Sequence, residues 1–175
     1  LGDVHPIAGW VEPAHIELGR TRLELEAKAD TGAATSSIHA FDIRPFTESG
    51  VAMVRFKVVQ GTSQTEVELP VVRIGYVRLP EGDKEQRIYV RGTICLGSAR
   101  WPILFSLNDR SQMRYPVLLG RAFLRAKYVV DSGKIHALGR PDCSLSEGGG
   151  KARETRHDHG RLGQEPPNEA ASEGD

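Results

Sequence analysis

Leu23, Leu25, Ala27 and Ala29 alternate with Arg22, Glu24, Glu26 and Lys28, the two-residue period of a strand with one face buried. Val54, Phe56 and Val58 repeat the pattern around Arg55 and Lys57, and Val67, Leu69 and Val71 continue it beyond a turn at Gln60-Gly61-Thr62. Further strands are predicted over Arg73–Arg78, Gln86–Leu96 and Trp101–Leu107, with Gly97-Ser98 as a hairpin turn between the last two. Only Gly120–Lys127 reads as helix. Tyr128–Val130 and Lys134–Leu138 are expected to form a hairpin closed by Asp131-Ser132-Gly133. Many short strands followed by one late helix predict a small, mostly β barrel or sandwich. No internal repeat or heptad run is present.

From Pro141 the composition shifts. The last 35 residues hold Cys143, Leu145, Leu162 and three alanines as their only apolar positions, and Gly148-Gly149-Gly150 and Pro166-Pro167 punctuate an acid-rich run. Such a segment buries too little apolar surface to offset its ordering entropy, so residues 1–140 are expected to fold and 141–175 to be disordered. The division also changes the charge. The whole chain of 175 residues balances 23 basic against 23 acidic side chains, but the tail carries eight acids and four bases. The remaining domain has 19 bases, fourteen of them arginine, against 15 acids. A balance near zero disfavours direct nucleic-acid binding, and no stretch approaches the roughly 20 apolar residues of a membrane span. Leu1 to Trp10 lack the basic start and apolar stretch of a secretory leader. Two cysteines, Cys95 and Cys143, are too few for a disulfide framework, so a reducing, cytoplasmic location is expected.

The chemistry-bearing feature is Asp30-Thr31-Gly32-Ala33, directly after an alternating strand. All these residue types except alanine also suit a plain strand-ending turn. A second element about 90 residues on, Pro116-Val117-Leu118-Leu119-Gly120-Arg121, strengthens the signal. This order resembles the aspartic peptidases, in which an apolar-apolar-Gly segment threads beside the Asp-Thr-Gly loop. The separation is that of retropepsins. Gly9-Trp10-Val11-Glu12, Ala27 to Ile43, Trp101-Pro102-Ile103, Asn108 to Arg114 and Leu118-Leu119-Gly120-Arg121 are similar to a bacterial retropepsin-like family. Its members are commonly labelled ATP-dependent zinc proteases or RimB-like proteins. The resemblance covers residues 9–139. It implies a retropepsin-like acid-protease barrel with one short C-terminal helix, working as a homodimer. It also implies hydrolysis of α-linked oligoglutamate added to the C-terminus of a ribosomal protein by a glutamate ligase.

Elementary chemistry points to a compatible mechanism. Peptide hydrolysis by carboxylates needs two of them sharing one water, one ionised and one protonated. Asp30 is one. Val129-Val130-Asp131-Ser132-Gly133 imitates the second motif of a two-lobed enzyme, but only Lys134–Gly139 follows before the tail, too little for a second lobe. Asp131 is therefore expected to be a turn residue, and the second carboxylate to be Asp30 of another subunit across a two-fold axis. Thr31, Gly32 and Ala33 support the loop, Thr31 by hydrogen bonding and Gly32 by permitting close backbone approach.

Arg87, Arg110 and Arg114 are candidates for binding substrate carboxylates, with surface or dimer-interface roles as the alternative. His39 is a further candidate beside the loop. Arg121 occupies the position that retroviral proteases pair with an acid, but Ala34 stands where that acid would be. Leu79–Gln86 is either a flap tip or a longer surface hairpin. No phosphate loop and no H-E-x-x-H is present, and His157-Asp158-His159 stands without companion ligands, so neither ATP nor zinc is expected and no cofactor is assigned. The expected function is an aspartic peptidase for acidic peptides. A catalytically idle module of the same fold that binds acidic C-termini is the alternative, and a metallopeptidase a third class.

Overall fold

A computed structural model of the chain describes residues 4–144. Eleven strands and one helical turn follow one another: β1 (Ile7–Leu18), β2 (Thr21–Ala29), β3 (Ser36–His39), β4 (Phe41–Glu48), β5 (Val51–Gln60), β6 (Ser63–Pro70), β7 (Arg73–Arg78), β8 (Lys84–Leu96), β9 (Ala99–Asn108), β10 (Val117–Leu119), α1 (Arg121–Leu124) and β11 (Val129–Ile135). The larger sheet runs β11-β1-β2-β10-β3-β9-β8-β7, and an additional β1–β8 pairing closes its middle into a barrel. Closure leaves β11 and β7 as its edges. A second sheet, β4-β5-β6, covers one side.

The alternation places the core. Leu23 and Ala27 of β2 point inward, as do Val54, Phe56 and Val58 of β5. They join Ile16, Ile38, Val90, Ile94, Phe105, Val117 and Leu119 in one cluster, so the small sheet caps the barrel that positions Asp30. Fold class and most strand positions agree with the pattern of the chain. The β8–β9 hairpin turns at Gly97, whose φ of +55° suits glycine in a two-residue turn.

Three local expectations are corrected. Residues 128–138 do not form a hairpin: β11 is one strand running parallel to β1, pairing Ile7 with Val129 and Gly9 with Asp131, then, past a bulge, Val11 with Ile135. Asp131 does make a turn, its Oδ1 accepting the Gly133 N–H at 2.9 Å, but the turn forms the bulge. The helix is also shorter than GRAFLRAK: Arg125 has already left it, with ψ 132°, and Ala126 has φ +58°.

The third correction concerns the cysteines. Cys95 and Cys143 are bonded, with Cα atoms 6.2 Å apart and a separation of 48 positions in sequence. Their small number therefore carries no argument for a reducing compartment. The bridge and an Asp142 N–H···O=C Gly97 bond of 2.7 Å attach Pro141–Ser144 to the β8–β9 turn. The rest of the predicted tail, 145–175, lies outside the described residues. Among those described, no helix is long and apolar enough to cross a membrane.

Candidate active site

β2 ends at Ala29 and the chain turns through Asp30-Thr31-Gly32. The Asp30 N–H donates to the Leu119 carbonyl at 2.8 Å, tying the loop to β10. Asp30 Oδ1 accepts the Gly32 N–H at 3.0 Å, and its carbonyl accepts the Ala33 N–H at 3.2 Å. These bonds fix the half-buried carboxylate at the strand end.

The apolar-apolar-Gly segment then crosses the outgoing chain. β10 runs parallel to β2 and antiparallel to β3. At Gly120 a Cβ would stand 2.4 Å from the Thr35 carbonyl oxygen, so no larger residue fits the crossing. Gly120 N–H donates to Ser36 Oγ (3.0 Å), Arg121 N–H to Ala33 O (2.9 Å) and Ala122 N–H to Ala34 O (3.0 Å). The Asp-Thr-Gly loop is thus clasped from both sides by backbone.

Arg121 completes the clasp. Its Nη1 donates to the carbonyls of Thr31 (3.1 Å) and Gly32 (2.8 Å), so it holds the loop directly although Ala34 offers it no acid. Thr31 and Gly32 are exposed, and among the described residues the Thr31 hydroxyl makes no hydrogen bond. The loop-supporting bonds therefore come from Thr31's backbone and Arg121, while its side chain faces outward. Asp131 belongs elsewhere: its carboxylate is taken by Gly133 and by Lys134 at 3.4 Å.

The other candidates divide. Arg110 is buried, its Nε donating to the Tyr115 carbonyl at 3.2 Å and its Nη1 to Ser37 Oγ at 3.3 Å. Burial pulls its affinity for the proton below the usual guanidinium range; the Asp30 carboxylate acts in the opposite direction, and Arg87 adds to the lowering. Arg110 and Asp30 therefore share one electrostatic neighbourhood. His39 positions that arginine, since its Nδ1 accepts the Arg110 backbone N–H at 2.9 Å while its ring stacks on Phe41. Arg114 is exposed, with its guanidinium 5.4 Å from the Tyr115 ring centre. Arg87 is occupied: it meets Asn108 Oδ1 at 2.6 Å and Glu85 at 2.9 Å.

His39, Arg110 and Arg114 wall one open hollow of about 330 Å³, completed by Leu25, Val59, Gly61, Ser111, Met113 and Pro116. Its lining contains three basic side chains and no carboxylate. Sequence reasoning missed Ser36 and Ser37, whose hydroxyls hold Gly120 and Arg110; two adjacent buried serines break the alternation that marks a strand. No group of three His, Cys, Asp or Glu side chains able to hold a metal occurs among the described residues, so they do not fit the zinc label.

Comparison with known proteins agrees with this geometry. Residues 7–140 match the RimB-like family, described as the retropepsin-like aspartic endopeptidase RimB. A probable α-L-glutamate ligase of Parasynechococcus marenigrum (strain WH8102) is 37% identical over 119 residues, covering 66% of this chain and 26% of that protein. Another, from Shewanella pealeana, is 34% identical over the same share of each. The chain thus spans about a quarter (26%) of the length of these curated relatives. A crystal structure of a protein of unknown function (DUF785) from Legionella pneumophila superposes with TM-score 0.65 at 32% identity, over 77% of this chain and 99% of that one. With its Asp-Thr-Gly loop clasped by Leu118-Leu119-Gly120, the chain belongs to the RimB-like family of retropepsin-like aspartic endopeptidases.

Proposed function

We propose that the protein is an aspartic peptidase that cleaves acidic peptides, with α-linked oligoglutamate tails as its substrate class. The observation that carries this reading is the Asp30 loop: a half-buried carboxylate held rigidly by β10 and Arg121, while Thr31 and Gly32 beside it stay exposed. One chain supplies one such carboxylate. A homodimer bringing two Asp30 loops together across a two-fold axis supplies the pair.

In that pair one carboxylate is ionised and takes a proton from the shared water. The other is protonated and donates to the peptide carbonyl oxygen as the hydroxyl adds to carbon. Collapse of the resulting gem-diol breaks the C–N bond, and the departing nitrogen takes up a proton. The relatives' name supports the substrate class: a domain shared with proteins named for joining glutamates fits a peptide made of them. The arginine-rich composition of residues 1–140 suits the same charge. A ribosomal protein C-terminus as the carrier of that tail, and cytoplasmic action, belong to this proposal.

The test is cleavage of a peptide ending in α-linked tetraglutamate, followed by mass spectrometry. Wild type should shorten the tail in excess chelator without nucleotide, and Asp30→Asn should abolish turnover. Undiminished cleavage by Asp30→Asn would refute the mechanism, and an active monomer by sedimentation would refute the shared site. Binding of tetraglutamate without any cleavage by wild type would favour the idle binding module.

A further inference from the structure

Arg110 is the one arginine buried among the described residues, at 9% exposure, and no carboxylate there pairs with it. A desolvated cation with no carboxylate within ion-pair reach is costly to hold. Its hydrogen bonds occupy Nε and Nη1. Nη2 has no partner among the described residues, yet no buried side-chain nitrogen or oxygen there lacks one. Nη2 must therefore reach solvent. The guanidinium is anchored along one side and open at its other terminal nitrogen.

That geometry differs from its neighbours. Arg87 is neutralised by Glu85, and Arg121 donates to the loop carbonyls. Arg110 alone combines burial, rigid anchoring and an open donor, and its anchor adjoins the Asp30 loop: Ser37, which it bonds, pairs with Leu118 on β10, and the Asp30 N–H bonds the next carbonyl, Leu119. The anchoring is elaborate for a surface charge: Ser37 on β3, Tyr115 in the loop before β10, and His39 bonding the Arg110 backbone. The hollow it walls has Arg114 and His39 as companions and no acid.

We infer that Arg110 is the specificity-determining residue of this site, its free Nη2 receiving the side-chain carboxylate of a glutamate bound next to the scissile bond. The inference rests on the peptidase reading for the identity of the substrate and adds the group that reads it. Ser37 and His39 are positioning residues: they hold Arg110 by its guanidinium and its backbone N–H respectively. Because the guanidinium is already anchored and desolvated, little rotamer entropy is lost when the carboxylate arrives. A neutral glutamine in the same place would leave the charge uncompensated.

Binding is measured by calorimetry with α-linked tetraglutamate and tetraglutamine on full-length Asp30→Asn protein, so hydrolysis does not enter. Asp30→Asn should bind tetraglutamate at least about tenfold more tightly than tetraglutamine. Adding Arg110→Met should weaken tetraglutamate binding about 10- to 100-fold and erase the preference, with tetraglutamine little changed. If Arg110→Met does not fold, Arg110→Lys keeps the cation but not the fork, and about a fivefold weakening is expected. Unchanged affinity and preference in a folded Arg110 variant, or no preference in Asp30→Asn, would overturn the inference. Failure of wild type to hydrolyse would instead strike the peptidase reading, and the binding comparison would still decide the role of Arg110.

Discussion

Gly120→Ala isolates the crossing that builds the site. The glycine has φ −94° and ψ 176°, a backbone conformation open to any residue, so only space is at issue. A methyl carbon there would lie 2.4, 2.5 and 2.9 Å from the oxygen, carbon and nitrogen of Thr35, all backbone atoms, where ordinary contact begins near 3.4 Å. The two chains must part by about 1 Å, since packed backbone cannot compress. Such a shift stretches the bonds from Gly120 to Ser36 (3.0 Å), Arg121 to Ala33 (2.9 Å) and Ala122 to Ala34 (3.0 Å) past hydrogen-bond range. Three bonds at about 1 kcal/mol each give a loss of roughly 3 kcal/mol, the upper part of the range for overpacking. At about 3 °C per kcal/mol for a domain of this size, Tm should fall by about 9 °C.

Gly50→Ala is the matched control. Gly50 has φ +78°, and a methyl carbon added there would meet nothing within 4 Å, so conformation alone is at issue. Its cost should be about 1 kcal/mol, or about 3 °C. Thermal unfolding by circular dichroism reads both variants, and tetraglutamate cleavage should be lost only in Gly120→Ala. A Gly120→Ala protein that melts within about 2–3 °C of wild type, or above Gly50→Ala, would show that the crossing is not where this clasp derives its tightness.

Reducing the Cys95–Cys143 bridge frees a 48-residue separation; the chain-entropy relation gives a loss of up to about 4 kcal/mol, and a Tm fall of about 12 °C in reductant, with thiol titration confirming opening. An unchanged Tm with both thiols free would refute that. Arg121→Met removes the donor to Thr31 and Gly32 carbonyls, and steady-state kinetics should show kcat lowered about 5- to 30-fold with KM nearly unchanged, as expected for about 1–2 kcal/mol of loop anchoring. Asp42 is held below its ordinary 3.8 by hydrogen bonds from Lys57 and Arg44, and Asp131 by the Gly133 N–H. Carboxyls lowered by folding stabilise fully above pH 3.8 and lose that contribution as pH falls through their folded values. Tm should therefore drop on acidification below about pH 4, less steeply in Asp42→Asn; equal slopes would count against the Asp42 contribution.

Legibility in the chain follows solvent exposure. β2 and β5 each show one face to water, so their alternation is readable. β1 lies between β2, β8 and β11, and buried positions crowd Ala8, Gly9, Val11 and Glu12 together, so period two vanishes. β11 reads as two strands because Asp131-Ser132-Gly133 has turn chemistry; only the long-range pairing with β1 makes that turn a bulge. The bond between Cys95 and Cys143 depends on tertiary proximity alone. The Asp30 loop and its Leu118-Leu119-Gly120 partner are legible because the crossing demands a small residue at one position and a tight turn at the other, constraints that act on residue type.

Constraints of that kind do not reach the arginines. Arg87, Arg110 and Arg114 are equal candidates by residue type, Arg121 stands apart only by its place after Gly120, and what separates the four is what each guanidinium touches. Arg87 has a carboxylate, Arg121 has loop carbonyls, Arg114 stands exposed beside Tyr115, and Arg110 is buried with an unused donor. The same accounting applies to the domain's surplus of bases. Arg22, Arg44, Arg55 and Arg100 lie against Glu17, Asp42, Glu68 and Glu17 respectively, so much of the basic surface is locally neutralised. The charge able to select a substrate is therefore a local quantity. Under the role inferred for Arg110 it resides in that guanidinium, where low exposure weakens screening and strengthens the attraction of any carboxylate that approaches.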